Sequence, residues 1–129
     1  MSKNKNSGFT LAEMLIALMI IGFLVTIGIS SYSQSIKSSR DATRKADIQT
    51  ISLALEKFKN DYDSYPTNIT TSISPRYLNV VPTDPKTKIP YKYEGSPNGC
   101  VISTPCTNYI LTATLEISGT YSIDKYGIR

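Results

Sequence analysis

The fold of this chain is decided by residues 8–29, which read GFTLAEMLIALMIIGFLVTIGI. Glu13 is the one charged residue in this stretch, and apolar side chains fill most of the other positions. A helix rises about 1.5 Å per residue, so roughly twenty such residues span the hydrocarbon core of a bilayer. The stretch therefore predicts a membrane-spanning helix. A lone carboxylate there costs on the order of a few kcal/mol unless a partner group neutralises it, so the partner of Glu13 becomes a central question.

Residues 1–8 form a short, polar and basic segment before the apolar run. Lys3 and Lys5 in this segment favour a cytoplasmic location for the N-terminal end, by the positive-inside rule. A secretory signal peptide has its apolar core before the cleavage site, whereas the candidate junction here, Gly8-Phe9, precedes the run. Cleavage at this junction would leave the apolar segment on the mature protein.

The order of residues at this junction points to a known family. Gly8-Phe9-Thr10-Leu11-Ala12-Glu13, followed by the apolar run, resembles the N-terminal signal of type IV pilins and of the pseudopilins of type II secretion. The resemblance implies that a prepilin peptidase cleaves between Gly8 and Phe9 and methylates the new amino group of Phe9. It also implies that Glu13 matches the glutamate of that family's signal.

The chemistry of the N-terminal residues suggests a role for Glu13 in assembly. Cleavage creates a positive amine on Phe9, and Glu13 of an incoming subunit can pair with the Phe9 amine of a neighbour. The attraction between the two charges is stronger in a low-dielectric setting than at a surface. We therefore expect this pair to set the register of a filament. The alternative is a simple anchor with Glu13 at the membrane interface, which explains neither the Gly8-Phe9 junction nor the basic leader.

The chain stays free of proline from the apolar run to Pro66. Its apolar residues then recur at spacings of three and four, which is typical of one helical face; they are Ile48, Ile51, Leu55, Phe58 and Tyr62. We predict one continuous helix over about 9–63, with its second half packed under a small globular domain. The charged segment 40–47 is expected to be a solvated face, with contact to neighbouring subunits as the alternative.

The rest of the chain predicts a small antiparallel sheet. Residues 68–75 are expected to form a loop, in which Asn68-Ile69-Thr70 matches a glycosylation acceptor pattern that often arises by chance. The expected strands are 89–94, 109–116 and 121–123, followed by a tail over 124–129. The predicted fold class is α+β and pilin-like, with one long N-terminal helix packed against a small antiparallel β-sheet. The predicted domains are a leader (1–8), a transmembrane and filament-core helix (9–29), an amphipathic continuation of the helix (30–65) and a globular β-domain (66–129).

Two cysteines lie late in the chain, at Cys100 and Cys106. In an exported domain such a pair is usually a disulfide, worth about 2 kcal/mol for so short a loop. Two free thiols in a reducing compartment are the alternative.

The composition argues against an enzyme and against a nucleic-acid-binding domain. The chain has no histidine, so a Ser-His or Cys-His nucleophile is not available, and no glycine-rich phosphate loop occurs. We expect no cofactor and no metal ligands, because Asp124, with Asp84 as a distant partner, falls short of the six to eight oxygens that calcium takes. The formal net charge of +4 falls to +2 without Lys3 and Lys5, so direct nucleic-acid binding is not expected.

The sequence therefore predicts a structural subunit of a helical filament, a homo-oligomer resembling a type IV pilus. The resemblance implies a single-pass protein stored in the cytoplasmic membrane with an exported C-terminal domain. Its implied partners are membrane lipid before assembly, the prepilin peptidase and the assembly machinery. A first alternative is the major pseudopilin of type II secretion, which Pro82-Thr83-Asp84-Pro85 and Pro90-Tyr91-Lys92-Tyr93 resemble. A second is a monomeric, membrane-anchored binding module.

Overall fold

The computed structural model describes residues 8–101 and 103–128. The predicted leader lies outside the described residues except for Gly8. The long predicted helix is confirmed as α1, Leu11–Tyr62, of 52 residues, and its ends differ from the expected ones by one or two positions. The chain divides into two compact units between Ile36 and Lys37. The first unit consists of the apolar part of α1, and the second contains the rest of α1 and all other elements.

The second unit contains a four-stranded antiparallel sheet with the strand order β1-β2-β3-β4. The strands are β1 (Lys92–Ser96), β2 (Asn108–Thr114), β3 (Thr120–Asp124) and β4 (Gly127–Ile128). The first strand begins three residues later than predicted; Pro90, which has no N–H to donate to a ladder, forms an isolated bridge with Thr83 instead. The prediction of a tail over 124–129 was wrong, because the chain turns back at Lys125-Tyr126 and continues as β4 from Gly127, which has φ 120°.

The core of the second unit lies between α1 and the sheet. Strand β2 alternates between buried and half-buried residues, and its Tyr109 and Leu111 are fully buried together with Ile48, Ile51 and Leu55 of α1. This confirms most of the predicted apolar stripe. The stripe ends earlier than expected, because Phe58 is only partly buried and 53% of Tyr62 is exposed.

The predicted loop over 68–75 contains a short helix, α2 (Ile69–Ser72). Asn68 caps it, because its side-chain oxygen accepts hydrogen bonds from the amides of Thr70 at 2.9 Å and Thr71 at 3.5 Å. Ile69 and Ile73 are buried in the core, and their burial holds α2 against the rest of the second unit. The Thr- and Ser-rich composition did not predict this helix, because residues of these types are common in loops as well as at helix caps.

The C-terminal end of α1 has an unusual cap. Asp63 follows the last helical residue with φ 54°, in the left-handed region that glycine adopts most easily. Its amide donates to the Lys59 carbonyl at 2.7 Å. The chain then passes Tyr65, whose amide donates to the carbonyl of Cys106 at 2.9 Å, so the helix end and the cysteine loop are tied together.

Candidate assembly site

The first unit presents an apolar surface on all sides. Its large apolar side chains are between 36% and 80% exposed, with Ile36 and Phe9 at the two limits. One 18-residue window of α1 is long and apolar enough to cross a membrane, and none of it is buried within the protein. A helix that is apolar all round needs lipid or other helices to cover it.

The predicted assembly residues lie together at the start of α1. Thr10 and Glu13 form a reciprocal cap: the Thr10 amide and hydroxyl donate to the Glu13 carboxylate at 2.8 and 2.9 Å. The Glu13 amide donates to the Thr10 hydroxyl at 3.2 Å. This is a capping box, and the Thr-x-x-Glu pattern that signals it was present in the sequence and overlooked. Gly8 and Phe9 precede the cap, and 80% of Phe9 is exposed.

A cluster of ion pairs lies in the second unit around Arg44. The Arg44 guanidinium donates to Asp84 at 2.6 and 3.3 Å, to Asp41 at 2.7 Å and to Glu116 at 3.0 Å. Arg40 makes a two-pronged contact with Glu116 at 2.7 Å for both bonds. Only 3% of the Arg44 side chain is exposed. We call the set Arg40, Asp41, Arg44, Asp84, Lys86 and Glu116 the ionic cluster.

The ionic cluster corrects the prediction that segment 40–47 is a solvated face. Asp41 and Arg44 are buried, with 6% and 2% exposure, because loop residues distant in sequence fold over them. Asp41 also accepts hydrogen bonds from the amides of Glu116 at 2.8 Å and Ile117 at 3.0 Å. Helical spacing alone gave no signal for these partners, which come from 40 or more residues away.

Electrostatics in the ionic cluster favour the ionised carboxylates. The Arg44 hydrogen bonds hold the pKa of the Asp84 carboxyl well below its usual range, and those from Arg40, followed by Arg44, do the same for Glu116. Burial opposes ionisation of Asp41, but hydrogen bonds from the Glu116 amide and from Arg44 outweigh it and lower its pKa. The cluster therefore fastens the loop at Asp84 and the turn at Glu116 to α1.

The two carboxylates weighed for calcium are engaged in other contacts. Asp84 accepts from Arg44 and from the amides of Lys86 and Thr87, and Asp124 accepts from the amide of Tyr126. Within residues 8–101 and 103–128, no group of three or more histidine, cysteine or acidic side chains is placed to hold a metal ion.

The predicted disulfide joins Cys100 and Cys106. Both residues are buried, and the two sulfur atoms lie against Gly95 of β1, where an added Cβ would come within 2.9 Å of each. The disulfide borders a cleft of about 610 Å³ at the end of α1. We call it the helix-end cleft; its lining includes Phe58, Tyr62, Asp63, Tyr65, Pro66 and Pro105.

An exposed apolar N-terminal helix and an α+β unit with a four-stranded antiparallel sheet define the class of pilin-like proteins. Comparison with known proteins agrees with this class. Residues 3–29 match the family model described as "Prokaryotic N-terminal methylation motif". No solved structure gives a significant match.

Three curated relatives match about half of this chain. Competence protein ComGC of Halalkalibacterium halodurans is 32% identical over 63 residues, which cover 49% of this chain and 62% of that protein. Type II secretion system core protein G of Pseudomonas aeruginosa is 30% identical over 66 residues (51% of this chain, 46% of that protein). The Aeromonas hydrophila protein of the same name is 30% identical over 67 residues (52% and 47%). The chain thus spans between about half and three-fifths of these relatives. The matched motif and the three relatives show that this chain is similar to type IV pilin-like and pseudopilin proteins.

Proposed function

We propose that this protein is a structural subunit of a helical filament, assembled from a precursor stored in the membrane. The observation that carries the proposal is the exposed apolar helix, whose first part lies within the matched methylation motif. In water this surface would be strongly unfavourable, since burial is worth about 25 cal/mol per Å² of apolar area. Lipid covers it in the stored subunit, and the same helices of neighbouring subunits cover it in the filament.

Processing at the Gly8-Phe9 junction prepares the subunit for assembly. The prepilin peptidase removes residues 1–8 on the cytoplasmic side and methylates Phe9, which becomes the first residue. The C-terminal unit is exported, where an oxidising environment suits the disulfide between Cys100 and Cys106. The protein is a substrate of the peptidase rather than an enzyme, and nucleic acid is not its direct partner.

Register in the filament comes from Glu13 and the Phe9 amine of a neighbouring subunit. An unpaired carboxylate in the apolar core of a filament is strongly penalised, so only the register that pairs it is stable. We expect Glu13→Ala to insert into the membrane normally but to lower the yield of filaments by about tenfold or more, since every 1.4 kcal/mol is tenfold.

The experiment compares sheared filaments and membrane fractions from cells that express the wild type, Glu13→Ala and the control Glu94→Ala. Glu94 is an exposed carboxylate of β1, with 54% side-chain exposure, so its removal leaves the N-terminal helix unchanged. N-terminal sequencing and the intact mass of the wild type would reveal a methylated Phe9. Normal filaments from Glu13→Ala would contradict the register, and an intact Met1 in the assembled protein would contradict the processing.

A second candidate function is the pseudopilus of a type II secretion system. It is favoured by the similarity to the two core proteins G and by the proline-rich segment around Asp84. Long filaments shed from the cell surface would support a pilus. A processed subunit that stays in the envelope, with loss of secretion when it is deleted, would support a pseudopilus.

A further inference from the structure

Two exposed residues of the second unit share a rare set of properties. Asp63 and Lys88 are the two residues other than glycine with positive φ in the described chain, at 54° and 60°. Both are exposed, and their charges are opposite. Neither side chain makes a hydrogen bond or an ion pair within residues 8–101 and 103–128.

Glycine is the residue that adopts the left-handed backbone conformation most easily, because in other residues the Cβ atom crowds the neighbouring carbonyl. Asp63 ends α1 and Lys88 lies in an exposed loop, and in neither place does the charged side chain support the fold through a contact of its own. Residues held in such conformations are often found where a side chain is presented for binding. The two exposed charged side chains are therefore candidates for contacts outside the subunit.

The helix-end cleft combines apolar walls with one lining carboxylate, that of Asp63. Asp63 is the one charged residue among those that line the helix-end cleft, and Phe58, Tyr62 and the two prolines, Pro66 and Pro105, supply apolar walls. Aromatic and proline side chains form rigid walls that lose little conformational entropy on binding.

The loop over 84–90 is basic and apolar, and it therefore complements the acidic and apolar lining of the helix-end cleft. Lys86 and Lys88 are exposed, and Ile89 presents a large apolar side chain with 62% exposure. The loop is held firmly, because the Lys88 amide donates to the Asp84 carbonyl at 2.9 Å and the Asp84 amide donates to the Ile89 carbonyl at 3.0 Å. A prefolded loop binds with a smaller loss of conformational entropy than a flexible one.

One subunit cannot bring these two surfaces together. The loop is fastened to Arg44, whereas the cleft begins at Phe58, fourteen residues further along the same helix. That separation is roughly 21 Å at 1.5 Å per residue. A contact between two different surfaces of identical subunits is heterologous, and it builds an open helical array when it does not close into a ring.

We propose that the 84–90 loop of one subunit docks into the helix-end cleft of the next, with Ile89 against the apolar walls and Lys88 paired with Asp63. This inference rests on the proposed function and adds a second, extracytoplasmic contact to the packing of the apolar helices. It names a second copy of this chain as the occupant of the cleft.

Cross-linking of filaments tests the contact directly. Thr87→Cys and Thr67→Cys are combined in one chain, since Thr87 is an exposed residue of the loop and Thr67 is exposed and lines the cleft, and sheared filaments are treated with a short bismaleimide. The native cysteines are joined to each other, so only the new thiols react. A ladder of covalent oligomers is expected from the double variant, at most dimers from either single variant, and no ladder from a control pair of Thr87→Cys with Lys125→Cys, since Lys125 is exposed but does not line the cleft.

Glycine variants separate assembly from folding. Asp63→Gly and Lys88→Gly relieve the left-handed strain, so we expect thermal midpoints equal to or above that of the wild type in detergent. Filament yield is nonetheless expected to fall about two- to fivefold, the effect of losing one exposed ion pair, whereas Lys88→Arg and the control Lys125→Gln keep the wild-type yield. Wild-type filaments without a ladder from the double cysteine variant, or glycine variants with full yield, would overturn the docking. Absence of wild-type filaments would instead count against the filament function itself.

Discussion

Replacing Arg44 by methionine should strongly destabilise the second unit. The side chain is 3% exposed and donates hydrogen bonds to three carboxylates, at 2.6 Å to Asp84, 2.7 Å to Asp41 and 3.0 Å to Glu116. Methionine fills a similar volume but leaves these acids without their shared cation. Removing one partner of a buried ion pair costs about 3–5 kcal/mol, a large part of the roughly 5–15 kcal/mol that stabilises a small domain.

The expected loss converts into a large change in melting temperature. For a domain of about 90 residues, each kcal/mol shifts the midpoint by about 4–8 °C, so Arg44→Met should lower it by roughly 12 °C or more. The assay is a near-ultraviolet circular dichroism melt of the full chain in detergent. The matched control is Arg76→Met, because the side chain of Arg76 is 67% exposed and lies 3.6 Å from Asp61; such a pair is worth about 0–1 kcal/mol. An Arg44→Met midpoint within a few degrees of the control would refute the role given to the ionic cluster.

Other predictions concern acid stability and the disulfide. Because the folded-state pKa values of Asp84 and Glu116 are depressed, their stabilisation is complete above roughly pH 5 and is lost as the pH falls through and below the unfolded values near 4. Urea midpoints measured from pH 7 to pH 2 should therefore decline, and less steeply in Asp84→Asn; equal slopes for both proteins would argue against this account. Gly95→Ala should destabilise the second unit by about 1–3 kcal/mol, since its Cβ would lie 2.9 Å from both sulfur atoms of the disulfide. In the Cys100→Ser/Cys106→Ser background, where smaller oxygen atoms replace the sulfurs, the same glycine substitution should cost less, and an unchanged cost by urea titration would contradict the contact.

Local sequence patterns were sufficient for the elements whose signals lie within a few residues. The apolar run and the i, i+3, i+4 spacing predicted α1 to within two residues at either end, because a helix is stabilised by contacts between near neighbours. The alternation around Tyr109 and Leu111 located β2. Short elements were less well predicted. The helix α2 depends on the burial of Ile69 and Ile73, and β4 depends on the two-residue turn before Gly127; local propensity predicts neither.

The residues proposed for processing and assembly could be picked out from the sequence because the motif is contiguous. Gly8, Phe9 and Glu13 lie within six positions, and their roles in processing and register remain proposals to be tested at the cell surface. The capping partner Thr10 was equally visible as Thr-x-x-Glu.

What the sequence by itself determined is the anchor, the long helix and the pairing of two nearby cysteines, since each depends on composition or on spacing along the chain. Only the tertiary structure decided that Arg44 is buried among Asp41, Asp84 and Glu116, and that Asp63 and Lys88 present opposite charges from two separated surfaces. The physical reason is that burial and ion pairing depend on which distant segments fold over a residue. Helical periodicity reports only on the near neighbours of that residue.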